Sequence, residues 1–199
     1  RTYSADGEFM STAAPERPQQ ETLARLERLL ERQDIHDCLI RFSRAMDRFD
    51  RALFLSAFHA DASISAGEFV GGPVELYDWA SQLHESGQSA TQHSLLNHTC
   101  DIEGDIAHAE TYYLFVGRNR DDSNWIAGGR YIDRFERRDG HWKIALRCNA
   151  IEWSGMLPTA EIPFADLTDI HLNGAISRST NDISYLRPLI NRRERNLPA

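Results

Sequence analysis

The stretch Gly129-Arg130-Tyr131-Ile132-Asp133-Arg134-Phe135-Glu136-Arg137-Arg138-Asp139-Gly140-His141-Trp142 decides how this chain is read. Aromatic and β-branched residues dominate its first half. Arg138-Asp139-Gly140 is then a turn signal, because Asp-Gly accepts left-handed backbone at little cost, and Trp142 opens another β-type run. Working outward, the same composition recurs in Thr91–Ile102, Ala107–Arg120, Trp125–Arg137 and Trp142–Trp153. The separators are Glu103-Gly104-Asp105, Asp121-Asp122-Ser123-Asn124 and Arg138-Asp139-Gly140. The pattern predicts four consecutive antiparallel strands.

The preceding residues follow a different period. Leu23, Leu26, Leu30, Ile35, Cys38, Leu39, Phe42, Met46 and Phe49 recur at helical spacing from about Glu21 to residue 50. Asp34, Asp37, Arg41, Arg44, Arg48 and Arg51 fall on the opposite face, which is expected to be solvated. Ala52–His59 reads as a second, short helix that ends at Ala60-Asp61, and Ser63–Ala66 as a short strand. Gly71-Gly72-Pro73 places Pro at the first position of a third helix, Val74–Glu85, ended by Gly87. Helices followed by a meander predict an α+β fold, with the helices on one face of a curved antiparallel sheet.

This domain is expected over residues 21–157. Residues 1–20 are set aside as an expected cloning remnant and flexible arm: Arg1 to Phe9 resembles a cloning-site scar, Met10 is then the expected natural start, and residues 11–20 are polar without periodicity. Residues 158–199 carry Pro158, Pro163 and Pro188, isolated Phe164 and Tyr185, and a basic end of Arg187, Arg192, Arg193 and Arg195. They read as an extension that packs over the domain or a neighbouring subunit, a lid or an oligomer contact.

Composition narrows the function. Of 199 residues, 41% are hydrophobic and 26% charged, which fits a packed globular domain. No apolar run approaches the ~20 residues of a membrane helix, and no signal peptide is visible, so no membrane partner is expected. The net charge of −8 argues against nucleic-acid binding, which relies on a basic surface. Cys38, Cys100 and Cys148 are odd in number and widely spaced, the usage of reduced, mostly buried thiols in a cytoplasmic protein.

The sequence holds no GxGxxG after a strand, no Walker-type loop and no GxSxG elbow. Its eight histidines show neither HExxH nor HxxEH spacing. His93 and His98, five apart, are expected on opposite faces of one strand, awkward for joint metal ligation. A dinucleotide site therefore has no support and a metal enzyme is disfavoured. What remains is acid/base chemistry. Asp47 sits at the edge of the packed helix face beside Ile40 and Ser43, where a carboxylate needs a partner; an ordinary salt bridge to Arg44, Arg48 or Arg51 fits the spacing equally. His93 opens a strand on which period two aligns His93, Leu95 and Asn97. Thr111, Tyr113 and Phe115 share a face of the next strand, and Arg147, Asn149 and Ile151 of the last. An aromatic-lined concavity with one His, one Asp and one Arg suits proton transfer on an apolar substrate.

The order helix, Arg44-Ala45-Met46-Asp47, Phe58-His59-Ala60-Asp61-Ala62, Gly-Gly-Pro turn, His93-x-x-x-Asn97, Gly104-Asp105-x-Ala107 and the quoted 129–142 stretch resembles the SnoaL-like branch of the nuclear-transport-factor-type superfamily. Within it the chain is similar to hexachlorocyclohexane dehydrochlorinase, scytalone dehydratase and bile-acid dehydratase. The resemblance implies a cone-shaped α+β barrel wrapped around the long first helix and two shorter ones. It also implies a cofactor-independent lyase with an Asp–His dyad, which falls on Asp47 and His93. The dehydrochlorinase arginine, five residues after Trp142, falls on Arg147. The sequence departs from its relatives where their pocket Lys or Tyr is Phe42, where the bile-acid enzyme's extra carboxylate falls near Phe115, and in lacking a counterpart of scytalone dehydratase's second histidine.

The expected activity is elimination of water, halide or formaldehyde from a hydrophobic aromatic or polycyclic substrate. Phe42, Phe115, Trp79 and Trp153 are candidates for the apolar wall, with Tyr113, Tyr131 and Asn97 as further substrate-binding residues. An isomerase of similar substrates and a non-catalytic small-ligand binder are the alternatives. Relatives associate, so a homodimer or homotrimer is expected.

Overall fold

The computed structural model describes residues 16–159, 168–169 and 171–193. The expected remnant and arm lie outside these residues up to position 15, as do Pro163, Phe164 and Arg195. Helix α1 spans Glu16–Arg48, α2 Arg51–Ser56 and α3 Pro73–Gly87. Strands β1 (Phe58–Ala66), β2 (Phe69–Gly71), β3 (Gln88–Glu103), β4 (Ile106–Asn119), β5 (Asn124–Arg138) and β6 (His141–Leu157) form one sheet in the order β2-β1-β6-β5-β4-β3. Among the described residues no helix is long and apolar enough to cross a membrane.

The meander β3–β6 is antiparallel throughout, as expected. Its last hairpin turns on Asp139 and Gly140, both at positive φ, the turn that matches strand twist. The sheet as a whole is mixed rather than antiparallel, because β1 pairs parallel with β6, and it is an open sheet rather than a closed barrel. The expected helix Ala52–His59 is cut short for the same reason. Phe58 to Ala66 runs as one strand through Ala60-Asp61, burying Phe58, Ala62 and Ile64. Two-residue alternation was hidden there by the adjacent helical pattern.

Ile35, Cys38, Leu39, Phe42, Ala45 and Met46 form the buried stripe of α1, against the inner face of the sheet. The stripe stops short of the predicted one: Leu23, Leu26 and Leu30 are exposed, because these turns extend past the sheet. The opposite face is not uniformly solvated either. Arg41, Arg44 and Arg48 are half-buried. Arg44 lies over the Tyr185 ring and bonds Ser184, and Arg48 pairs with Asp182, so the described part of the C-terminal extension covers this helix end. Phe49, at φ 49°, ends α1 in left-handed backbone, and the Asp50 amide bonds the Ala45 carbonyl across it. Asp50 then caps α2 by accepting from the Leu53 amide at 3.0 Å.

Two polar groups, one buried and one half-buried, tie these layers together. Arg147 on β6 is 2% exposed and donates from Nε and Nη2 to the two Asp133 oxygens of β5, both at 2.7 Å. Its guanidinium lies over the rings of Phe42 and Tyr131, 4.1 and 4.2 Å from their centroids. At the end of α3, the half-buried His84 shares a 3.0 Å hydrogen bond with Gln88, whose amide reaches Asn119 on β4. Burial pushes the His84 pKa down to about 4. Of the cysteines, Cys38 and Cys100 are buried as expected, and Cys148 is exposed on β6.

Asp133→Asn leaves a buried guanidinium without its counter-charge, and urea unfolding should register a loss of roughly 3–5 kcal/mol; a loss under 1 kcal/mol contradicts this account. The second expectation concerns pH. Folded His84 takes its proton only near pH 4, whereas the unfolded side chain takes it near 6.5. The unfolded state thus binds more protons in that window, and stability falls as pH drops through it, by about 2 kcal/mol at pH 5 from this group. His84→Gln should flatten the decline in melting temperature between pH 7 and 5, and an unchanged slope contradicts it.

Candidate active site

Asp47 lies in the last turn of α1 and His93 on β3, the edge strand of the sheet. An edge strand leaves alternate backbone groups unpaired, and at His93 helix α1 supplies their partners. The His93 amide donates to Asp47 Oδ2 at 2.9 Å, and Ser43 Oγ donates to the His93 carbonyl at 2.6 Å. Asp47 Oδ1 meets His93 Nδ1 at 2.7 Å. One carboxylate therefore holds both the backbone and the ring of the same residue. The two side chains are 13% and 9% exposed. Asp47 makes this pair rather than the salt bridge to Arg44, Arg48 or Arg51 that its spacing also allowed.

A carboxylate at Nδ1 stabilises the tautomer with its proton there and leaves the Nε2 lone pair available. The surroundings of the ring are aromatic. Phe115 packs edge-on at 4.8 Å between centroids and His84 at 5.6 Å. Trp125 extends this wall at 5.1 Å from Phe115. Deeper in the sheet Tyr113 stacks on Tyr131 at 4.4 Å, and Tyr131 meets Phe42 edge-on at 5.4 Å. Burial raises the pKa of both tyrosines and keeps them neutral.

Phe42, Tyr113, Phe115 and Tyr131 thus lie on the inner face with the His–Asp pair, as expected from sequence. Arg147 is on this face too, but its charge is paired by Asp133, a partner the strand pattern did not single out. Its Nη1 has no hydrogen-bond partner among the described residues.

Three expected residues are elsewhere. Asn97 is exposed, because β3 bulges between Leu95 and His98 so that Leu96 and Asn97 together oppose Tyr112. The same bulge returns His98 to the face of His93, not the opposite one, and there it bonds Thr111 at 2.9 Å. Trp153 is 51% exposed, across Gly128 on the outer face of β5, where a Cβ would sit 2.4 Å from its ring. A second bulge, at Gly128–Gly129, inserts Glu152 into β6 and turns Trp153 outward, while Ile151 keeps its place opposite Gly129 and is itself exposed. Trp79 stacks on Phe69 of β2 at 5.3 Å, away from the pair. His84 and Trp125 are the neighbours that sequence reasoning missed. His84 lies nine residues before His93, and only the tight α3–β3 connection brings the rings together.

Comparison with known proteins places this fold. The chain spans 95% of a hexachlorocyclohexane dehydrochlorinase (LinA) type 2 structure at 20% identity and TM-score 0.63, with 69% of its own length covered. A further LinA structure gives 22% identity, TM-score 0.64, and coverage of 69% of this chain and 96% of that one. A protein from Novosphingobium aromaticivorans assigned the name scytalone dehydratase aligns at 20% identity and TM-score 0.59, covering 67% of this chain and 91% of its own. At these identities the likeness is one of fold. Among curated proteins none matches the sequence significantly. The SnoaL-like domain model matches residues 27–148, from within α1 into the first half of β6 and well over half of the chain, which therefore belongs to the SnoaL-like domain family.

Proposed function

We propose that this protein is a cofactor-independent lyase in which His93 is the general base. The observation that carries the reading is the double grip of Asp47 on His93, through the backbone amide and Nδ1, with Nε2 outside that network. His93 Nε2 takes a proton from a carbon or hydroxyl of a hydrophobic, aromatic or polycyclic substrate. Asp47 fixes the tautomer and stabilises the imidazolium that forms. The bond to the leaving group then breaks: halide departs as the anion, hydroxide departs as water by taking the proton back from the His93 imidazolium, and in retro-aldol-like cleavage of a hydroxymethyl group formaldehyde departs while the ring carbon takes that proton.

The inner face is suited to that step. Phe115 and Trp125 offer apolar surface beside the base, and a dry setting strengthens the electrostatic contacts that steady developing charge. Arg147 is neutralised by Asp133, so its contribution is through the unpartnered Nη1 and through the Tyr131 and Phe42 rings it orders, with Tyr113 and Tyr131 as hydroxyl donors to a departing anion or phenolate. Tyr112, Ile132 and Trp153, exposed on the outer face of the sheet, support association as a homodimer or homotrimer.

His93→Ala and Asp47→Asn should each lower kcat by about 10²–10⁴-fold. The assay is a panel of chlorinated, hydroxylated and hydroxymethylated ring compounds, read by chloride release, ultraviolet absorbance and formaldehyde trapping. Both variants should keep ligand affinity, followed by intrinsic tryptophan fluorescence, within a few-fold of the parent. Full turnover in either variant contradicts the dyad, and an isomerase would show rearranged product with no group released. Light scattering after size exclusion should give two or three chain masses; a single chain mass contradicts the association.

A further inference from the structure

Arg178 belongs to the C-terminal extension, beyond the span matched by the family model. It reaches back to the site from outside the domain. Its Nη1 donates to the carbonyls of His84 at 3.1 Å and Gln88 at 2.6 Å, the residues that join α3 to β3. The face of its guanidinium lies on the Phe49 ring, 4.1 Å from the centroid. Phe49 follows Asp47 by two residues, and the His84 ring packs on His93. The side chain therefore bridges the two segments that supply the His–Asp pair.

Two nitrogens of this guanidinium do no structural work. Nε and Nη2 are buried and have no hydrogen-bond partner among the described residues, and Arg178 forms no ion pair with them. Arg147 presents the same Nε/Nη2 edge to Asp133, with two parallel 2.7 Å bonds. That edge is the fork that matches the two oxygens of a carboxylate. Among the described residues no carboxylate fills it at Arg178: Asp47 has both oxygens committed to His93, and Asp182 receives the amides of Ser177 and Ser184 and the Arg48 guanidinium. Burial without a counter-charge also holds the Arg178 pKa below the usual arginine range, with Asp47 the largest of the charges opposing that fall. A buried fork left open beside a catalytic pair is costly unless a ligand closes it.

The geometry points to Arg178 as a specificity residue that binds a carboxylate on the substrate. Nη1 and the Phe49 ring hold the guanidinium in place, and Nε and Nη2 receive the two carboxylate oxygens while the aromatic body of the molecule lies against Phe115 and His93. This assignment rests on the proposed use of the His93 site, and it narrows the substrate class to aromatic carboxylic acids. It concerns binding, so it stands or falls apart from turnover.

The test is calorimetric binding of 2-naphthoate and its neutral near-isostere 2-naphthamide, to the full chain and to its His93→Ala, Arg178→Gln and Arg178→Lys variants. The parent and His93→Ala should both bind naphthoate at least tenfold more tightly than naphthamide, and naphthoate should shift the His93 imidazole signals in the parent. Arg178→Gln should bring the two affinities within a factor of two without weakening naphthamide more than threefold. Arg178→Lys, which keeps the charge and loses the fork, should reduce the preference at least threefold, and it carries the test if the Gln variant does not fold. Equal affinities in the parent, no binding of naphthoate, or a preference that survives both substitutions would overturn the assignment. Turnover lost in His93→Ala with the naphthoate preference intact separates failure of one idea from failure of the other.

Discussion

The structure depends on the clamp between the last turns of α1 and the edge strand β3 at His93. Ser43 and Asp47, four residues apart and so on one face of the helix, take the carbonyl, the amide and the ring nitrogen of a single residue. An edge strand without such partners exposes unpaired backbone, and a buried carboxylate without them is costly. Each problem solves the other. The clamp closes the open side of the sheet and at the same time orients an imidazole, so removing Asp47 affects both how β3 docks and what His93 can do.

Behind the clamp the inner face is arranged by charge neutralisation and ring packing. Arg147 and Asp133 form a bidentate pair on adjacent strands, with Phe42 and Tyr131 against the guanidinium. A buried pair of this kind adds little net stability compared with apolar residues, yet breaking it on one side is severe. What it supplies is order: it fixes Tyr131, on which Tyr113 stacks, and sets the floor of the aromatic wall. The described C-terminal residues complete the enclosure through side chains, with Tyr185 donating to Asp50 at 2.9 Å and Arg44 lying over its ring.

Much of this was legible in the sequence, for physical reasons. Period-two runs separated by Asp-Gly and Gly-Asp turns set out β3 to β6, and the apolar stripe from Ile35 to Met46 set out the buried part of α1. Asp47 and His93 stood out because an edge carboxylate and a strand-opening imidazole both need partners; that they need each other came from the family resemblance. Two of the failures come from a local departure from regular geometry. A bulge moved Asn97 out and His98 in, and a second one at Gly128–Gly129 put Trp153 on the outer face. The parallel partnership of β1 with β6 depends on contacts some eighty residues apart, which no local period encodes. Leu23, Leu26 and Leu30 kept the helical period but lacked a sheet to cover them.

The most direct test of the central claim is the protonation state of the His93 ring, read by long-range ¹H–¹⁵N correlation spectroscopy of the full chain at neutral pH. A carboxylate bound at Nδ1 holds a proton there, and in the neutral ring this leaves Nε2 with the chemical shift of a bare imidazole nitrogen, a pattern that Asp47→Asn should disturb. A ring averaging freely between tautomers, or one with its proton fixed on Nε2, would contradict the account.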